Sequence, residues 1–293
     1  MDKIIRCITS DGSIMASAVD STEIVATAQQ LHKLSPVATA AMGRLLTAAS
    51  LMGAQLKQKT AALTLRIKGN GPLGAVVASA TSQGNVRGFV ENPGCRTEYY
   101  DNGKLNVGTA VGKDGYLYVV RDYGTGEPYN GVVELVSGEI AEDITSYYAN
   151  SEQIPTVCAL GVLVDKNDGG LLLAGGMLIQ LLPGATEEAI TKLEENVAKL
   201  DSVTTMLAKG IEPVEMCKLA LEGFNVEVLD EMPVHYYCTC SKDRVMQSFS
   251  TLQDDELRSL LDEDKKVEAV CHYCNKKYVF SAEDIEGLIA SRK

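Results

Sequence analysis

Four cysteines near the end of the chain have types and spacing that could do chemistry. Cys238 and Cys240 stand one residue apart in "YYCTCSK", and Cys271 and Cys274 form a Cys-x-x-Cys knuckle in "AVCHYCNKKY", with residues 241 to 270 between the pairs. Two short chelating pairs from two places in a chain suit a closed tetrahedral four-thiolate site for zinc, one Zn2+ per chain. The Cys-x-Cys pair is tighter, and the spacer longer, than in ordinary zinc ribbons. His235 and His272 lie beside the cysteines, but four sulfurs already fill the shell and leave the histidines outside it. With no position open to water, such an ion is a staple and not a hydrolytic centre.

A zinc-bound thiol is already deprotonated, and the thiolate is the form that oxidants attack. One site can therefore be staple and sensor. Metal binding to a small thiolate module is worth about 10–16 kcal/mol, comparable with the about 5–15 kcal/mol that holds a whole domain. Loss of the ligands should unfold the module. The disulfides that close most easily are sequence-local, Cys238 with Cys240 and Cys271 with Cys274, because neither needs a long loop. The strained Cys-x-Cys ring makes a labile bond.

The elements that must position these groups divide the chain into three. Of the 293 residues 45% are hydrophobic and 26 are glycine, an ordinary globular composition with room for two domains. Residues 1–183 read as a mixed α+β domain. "KIIRCI" and "SIMASAV" are strands around an Asp11-Gly12 turn. Helices then begin at Ser21 and at Ser35-Pro36. "AALTLRIK", "LGAVVASA", "NVRGFVEN", "GYLYVVRDYG" and "GVVELVSGE" follow as strands, "IAEDITSYYANSEQ" as a helix, and "TVCALGVLVD" with "GLLLAGGMLIQLL" as a hairpin around "KNDGG". Residues 184–230 read as a helical linker. Ile190, Leu193, Val197, Leu200, Val203 and Leu207 recur at helical spacing and predict one amphipathic helix over 186–209, with a second short helix in "EPVEMCKLALEG". Residues 231–293 are small and apolar-poor. They offer a charged helix in "DDELRSLLDED", two strands flanking the knuckle, and a closing helix capped by Ser281 and Asp284. A core that small needs a staple, and the four thiols supply one.

Charge and compartment narrow the function. The start of the chain has no signal-peptide pattern, and its longest apolar run, at 171 to 182, falls short of a membrane span, so the expected location is the cytoplasm, with no membrane partner. Thiols there stay reduced, so eight cysteines read as ligands, sensors or buried small hydrophobes. The net charge of −12 disfavours nucleic acid, and residues 231 to 293 carry 9 basic against 12 acidic residues, a net of −3. "GNGPLG" at 69 to 74 matches a dinucleotide fingerprint, but a hairpin and not a helix follows it, so no dinucleotide site is expected. Cys7, Cys158 and Cys217 read as buried inert thiols, Cys95 beside Arg96 as a more exposed one, and His32 as structural. No nucleophile is paired with a base, so an enzyme is not expected.

"CTCSKDR", "VCHYCNKKYVF", "GNVRGFVENP", "GEIAEDITSYYANSEQIPT" and "GGMLIQLLPGA" together resemble the heat shock protein 33 family of redox-regulated chaperones over almost the whole chain. The resemblance implies an ATP-independent holdase for unfolded or aggregating client proteins under oxidative and heat stress. It implies that the reduced, zinc-bound form is inactive. Oxidation would form the disulfides Cys238–Cys240 and Cys271–Cys274, release zinc, unfold the C-terminal module, loosen the linker and favour a homodimer. Two alternatives stay open: an α+β enzyme whose zinc is purely structural, and a zinc-ribbon module that binds nucleic acid through Lys242, Arg244, Lys276 and Lys277.

Overall fold

The computed structural model describes residues 1 to 292 and is α+β, as the sequence predicts. Its contacts separate two compact units, Met1–Tyr237 and the remainder from Cys238 on. In the first unit, β1 (Lys3–Thr9) and β2 (Ile14–Asp20) form the expected hairpin, with Gly12 at a positive φ of 72° in its turn. After them come α1 (Thr22–His32) and α2 (Pro36–Gly53).

The start of α1 differs from expectation. Ser21 stands at the cap position, but its hydroxyl is bonded to Thr47 Oγ1 at 2.7 Å. The free amides of Glu23 and Ile24 instead donate to the Asp2 carboxylate, at 3.0 and 2.7 Å. A carboxylate from far outside the helix takes the place of the local hydroxyl. At α2 the expected cap is present: Ser35 Oγ accepts from the Ala38 amide at 3.4 Å, with Pro36 next.

β3 (Ala62–Lys68), β4 (Val76–Thr81), β5 (Val86–Val90), a short α3 (Val107–Val111), β6 (Tyr116–Asp122) and β7 (Tyr129–Glu134) follow. The sequence reading contains no α3, which is a single turn capped by Asn106. These strands make an antiparallel sheet in the order β5-β4-β3-β6-β7. The Gly-x-Gly-x-x-Gly string lies in its β3–β4 connection. A Cβ on Gly69 would sit 2.1 Å from the Gly112 carbonyl oxygen, and one on Gly71 would sit 2.3 Å from that of Ala110. Close backbone packing accounts for those glycines.

α4 (Ala141–Tyr147) runs into a π-helical turn at Tyr148–Glu152, and β8 (Thr156–Val164) and β9 (Leu171–Leu181) form the second expected hairpin. Next come α5 (Glu187–Lys199), α6 (Val203–Ala208), α7 (Pro213–Ala220) and β10 (Val226–Pro233). The single helix expected over 186–209 is thus broken. Leu200 is extended, and the Ser202 hydroxyl accepts from the Thr205 amide at 3.3 Å, starting a new helix at a Val-Thr-Thr run of weak helix formers. β10, absent from the sequence reading, pairs antiparallel with β1, where Arg6 grips Asp230. The sheet order is β10-β1-β2-β9-β8.

That sheet is buried on both faces. Ile4, Val19 and Leu178 join a large core around α2. Ile5, Cys7, Ile14, Ala16, Ala18, Met177 and Ile179 face a second core, whose other half is Leu193, Val203, Met206, Met216, Cys217, Ala220 and Leu221 from α5, α6, α7 and the residue after them. The segment expected as a linker therefore folds against the sheet. Each fully buried Val, Leu or Met side chain contributes about 1.5–3 kcal/mol.

The second unit contains α8 (Lys242–Phe249), α9 (Asp254–Ser259), β11 (Lys266–Val270), β12 (Lys277–Ser281) and α10 (Ala282–Ala290). The sequence reading has no α8. The charged helix expected to run to residue 264 stops at Ser259. The capping box at α10 is as expected: Ser281 N donates to Asp284 Oδ2 at 3.0 Å and Asp284 N to Ser281 Oγ at 3.2 Å. Among the described residues the buried core here is six, Leu257, Val267, Tyr278, Phe280, Ile285 and Ile289. Among the described residues, no helix is long and apolar enough to cross a membrane.

Candidate metal centre

β11 and β12 pair antiparallel from Lys266↔Ser281 to Val270↔Lys277, so their connection is the Cys271–Cys274 knuckle. Cys271 N donates to the Lys276 carbonyl at 3.0 Å, and Asn275 N to the Cys271 carbonyl at 2.8 Å. Asn275 takes a φ of 57°, a left-handed conformation that asparagine tolerates better than most residues. This tight turn aims both thiols to one side. Cys238 and Cys240 come from the extended segment before α8, which Ser241 caps by accepting from the Arg244 amide at 3.2 Å. Arg244 reaches back to Thr239, donating to its carbonyl at 3.0 Å and its hydroxyl at 2.6 Å, and so fixes the residue between the two cysteines.

The four sulfurs converge. Cys238 Sγ lies 3.7 Å from Cys271 Sγ, Cys240 Sγ lies 3.4 Å from Cys274 Sγ, and all four fall within 4.8 Å of one another. Tetrahedral thiolates about 2.3 Å from a central ion are separated by about 3.8 Å, so the cluster could hold a metal ion. It contains no histidine: the group is Cys238, Cys240, Cys271 and Cys274 alone. His272 is exposed next to the knuckle, and His235 lies in the other unit, its amide donating to Asn85 Oδ1 at 3.0 Å.

Electrostatics separate the thiols. Burial pushes Cys274 up to about 12 and also raises Cys238. Burial works the same way on Cys240 but is overridden: Tyr278 Oη donates to Cys240 Sγ at 3.0 Å, and with the neighbouring thiols it holds Cys240 at about 7. Lys276 Nζ sits 5.3 Å from the Tyr278 ring centre and adds positive charge on that side. The Tyr278 bond to a sulfur was not legible in the sequence. "KKYVF" marks it only as an alternating strand residue.

The other cysteines are apart from this cluster. Cys7 and Cys217 are fully buried. Cys158, expected to be buried, is half-buried against the large core, and burial of its sulfur raises its thiol to about 12. Cys95, expected to be more exposed, is buried at 8% exposure, and burial raises its thiol. The turn containing it folds inward against the large core. His32 Nε2 lies 3.1 Å from Tyr236 Oη, which donates to the Gly88 carbonyl, a structural arrangement as expected.

Comparison with known proteins places these features. A family model described as Hsp33 protein matches residues 2–281. The 33 kDa chaperonin of Clostridioides difficile (strain 630) is 46% identical over 284 residues, covering 97% of both chains. That of Bacillus licheniformis is 43% identical over 288 residues, covering 98% of this chain and 99% of the relative. The crystal structure of the 33 kDa chaperonin, a heat shock protein 33 homologue from Thermotoga maritima, superposes with a TM-score of 0.88 at 36% identity, covering 99% of this chain and 98% of that one.

Proposed function

The chain belongs to the Hsp33 family, and from that premise we propose that it is an ATP-independent holdase, switched by oxidation of its four-thiol cluster. The observation that carries this reading is the convergence of Cys238, Cys240, Cys271 and Cys274 in a unit with only six buried core residues. Zinc is the ion proposed, one per chain. When bound, it would staple the module and keep the thiols deprotonated. Four sulfur ligands with no open position leave it no hydrolytic role.

The switch follows from the chain's own groups. With all four thiols held as thiolates by the ion, each is in the form that oxidants attack. Closure of Cys238–Cys240 and Cys271–Cys274 consumes all four ligands and leaves a small core without its staple. Residues 1–183 act as the chaperone core, 184–230 as the linker and 231–293 as the switch. Release of α5, α6 and α7 would uncover the apolar sheet face formed by Ile5, Ile14, Met177 and Ile179, and exposed apolar patches capture unfolded chains. Clients are unfolding proteins, the oxidised form associates as a homodimer, and the setting is the reducing cytoplasm.

The test compares aggregation suppression, by light scattering of a heat-denatured protein, before and after peroxide, with zinc and free thiols counted in parallel. Suppression that appears as about one zinc and four thiols are lost supports the reading. Zinc retained through peroxide, or lost without suppression, returns the site to a purely structural role.

A further inference from the structure

A cavity of about 340 Å3 opens in the first unit where the turn between Tyr99 and Leu105, the end of β8 and the start of α6 meet. That volume suits a small organic molecule. Its lining contains Arg44, Lys104 and Lys166 but no aspartate or glutamate, in a chain whose net charge is −12. Asp101, Asp165 and Asp201 adjoin lining residues in sequence yet stay outside it, and Asp201 is paired with Lys209 at 2.6 Å.

The cations reach the cavity from three elements. Arg44, on α2, is 18% exposed; its Nη1 donates to the Glu139 carbonyl at 3.0 Å and to the Glu139 carboxylate, while its Nε is buried without a hydrogen-bond partner. Lys166 reaches from the β8–β9 turn to the neighbouring loop, where a Cβ on Gly103 would sit 3.2 Å from its Nζ. Among the described residues, neither Lys104 nor Lys166 is in an ion pair. Asn102 Oδ1 accepts from the Lys104 amide at 3.0 Å, which leaves its Nδ2 to donate elsewhere. Leu160, Val162 and Val203 supply an apolar wall.

We propose that this cavity binds a small phosphate ester, its phosphoryl group among Arg44, Lys104 and Lys166 and a compact apolar body against Leu160, Val162 and Val203. Three cations without an acid among them call for an anion of more than one charge, and guanidinium and ammonium groups both suit phosphate. Bare phosphate would leave the apolar wall uncovered. The site also spans core and linker: Val203 and Thr204 belong to residues 184–230, and a Cβ on Gly161 of β8 would sit 2.8 Å from Thr204 Cγ2. A ligand that binds only while α6 is docked stabilises the docked form by mass action, so the ester would slow activation. That consequence rests on the holdase reading; the binding does not.

The experiment uses the full-length, reduced, zinc-loaded protein and a Lys104→Ala/Lys166→Ala double variant, whose altered side chains are exposed. Calorimetric titrations with phenyl phosphate, inorganic phosphate and benzyl alcohol read the site. The expected order is phenyl phosphate tightest, inorganic phosphate weaker and benzyl alcohol unbound, with phenyl phosphate roughly tenfold weaker in the double variant. Phenyl phosphate should also slow the peroxide-dependent gain of aggregation suppression several-fold in wild type. No binding of phenyl phosphate at millimolar concentration overturns the proposal. So does equal affinity in the double variant, or a wild-type affinity that does not fall as salt rises. Inorganic phosphate bound as tightly as the ester overturns the seat for the apolar body, and an unchanged activation rate with the ester bound overturns the regulation. Failure of the holdase reading is distinguishable, because suppression would then be absent in every sample while the titrations still decide the site.

Discussion

Helix α2 buries sixteen of its eighteen residues, whereas α8 buries none. The first is apolar on every side and lies between two sheets, so water is excluded from it without any cofactor. The second sits in a unit of six buried residues. Around it the ion pairs Arg258–Glu286, Lys242–Asp284 and Lys277–Glu268 are solvent-exposed, and such pairs contribute about 0–1 kcal/mol each. One region is held by buried area; the other has little of it and four converging thiols. A chemical event at four sulfurs can therefore reach one and leave the other intact. The second core stands between these extremes, half from the sheet and half from residues 184–230.

The largest expected effect breaks the ligand-held region alone. Chelation of the proposed zinc should remove about 10–16 kcal/mol of binding free energy and unfold the module, and Cys271→Ser should weaken it in the same direction by less, while the first unit keeps its fold. Loss of amide dispersion by NMR confined to residues after 237 is the expected result; loss throughout the chain would contradict it. Leu45→Ala should act the other way, lowering stability of the first unit by about 2–5 kcal/mol in urea melts without changing metal affinity. Met216→Ala, in the shared core, should cost about 2–3 kcal/mol and give partial aggregation suppression without oxidant. An unchanged requirement for peroxide would show that release of α7 is not limiting. Tyr278→Phe removes the bond to Cys240 and should cost about 0.5–1.5 kcal/mol, read as a small loss of metal affinity in competition with a chelator.

A further effect is electrostatic. Burial, against the amides of Ile24 and Glu23, pushes Asp2 from 3.8 up to about 6. An acid whose folded value is raised stabilises most below its unfolded value, so this contribution is fully present below about pH 4 and is lost as pH rises through about 6. Wild-type stability should therefore fall between about pH 4 and pH 6 relative to Asp2→Asn, measured by urea midpoints. Parallel pH profiles for the two proteins would remove Asp2 from the account.

The four-thiol cluster was legible because its signal is local: two pairs of one residue type at chelating spacing, in an apolar-poor stretch. The hairpin at Asp11-Gly12 and the start at Ser35-Pro36 were legible for the same reason. What was missed depends on distant partners. β10 is a strand because β1, more than 200 residues earlier, pairs with it. Asp2 replaces Ser21 at the start of α1 because Thr47 takes the serine hydroxyl. The break at Leu200 hides within a helical period that continues across it, so only the Ser202 cap marks it. Tyr278 and Cys240 are 38 positions apart, and no spacing rule relates them.

The central claim is that loss of the four thiols frees residues 184–230 and spares the core around α2. Amide hydrogen exchange on the full-length protein, before and after peroxide with zinc release confirmed, tests it most directly. The account predicts that amides of α5, α6 and α7 lose protection while those of α2 keep theirs. Protection retained in α5 to α7 in a sample that suppresses aggregation would contradict it, as would equal loss in α2.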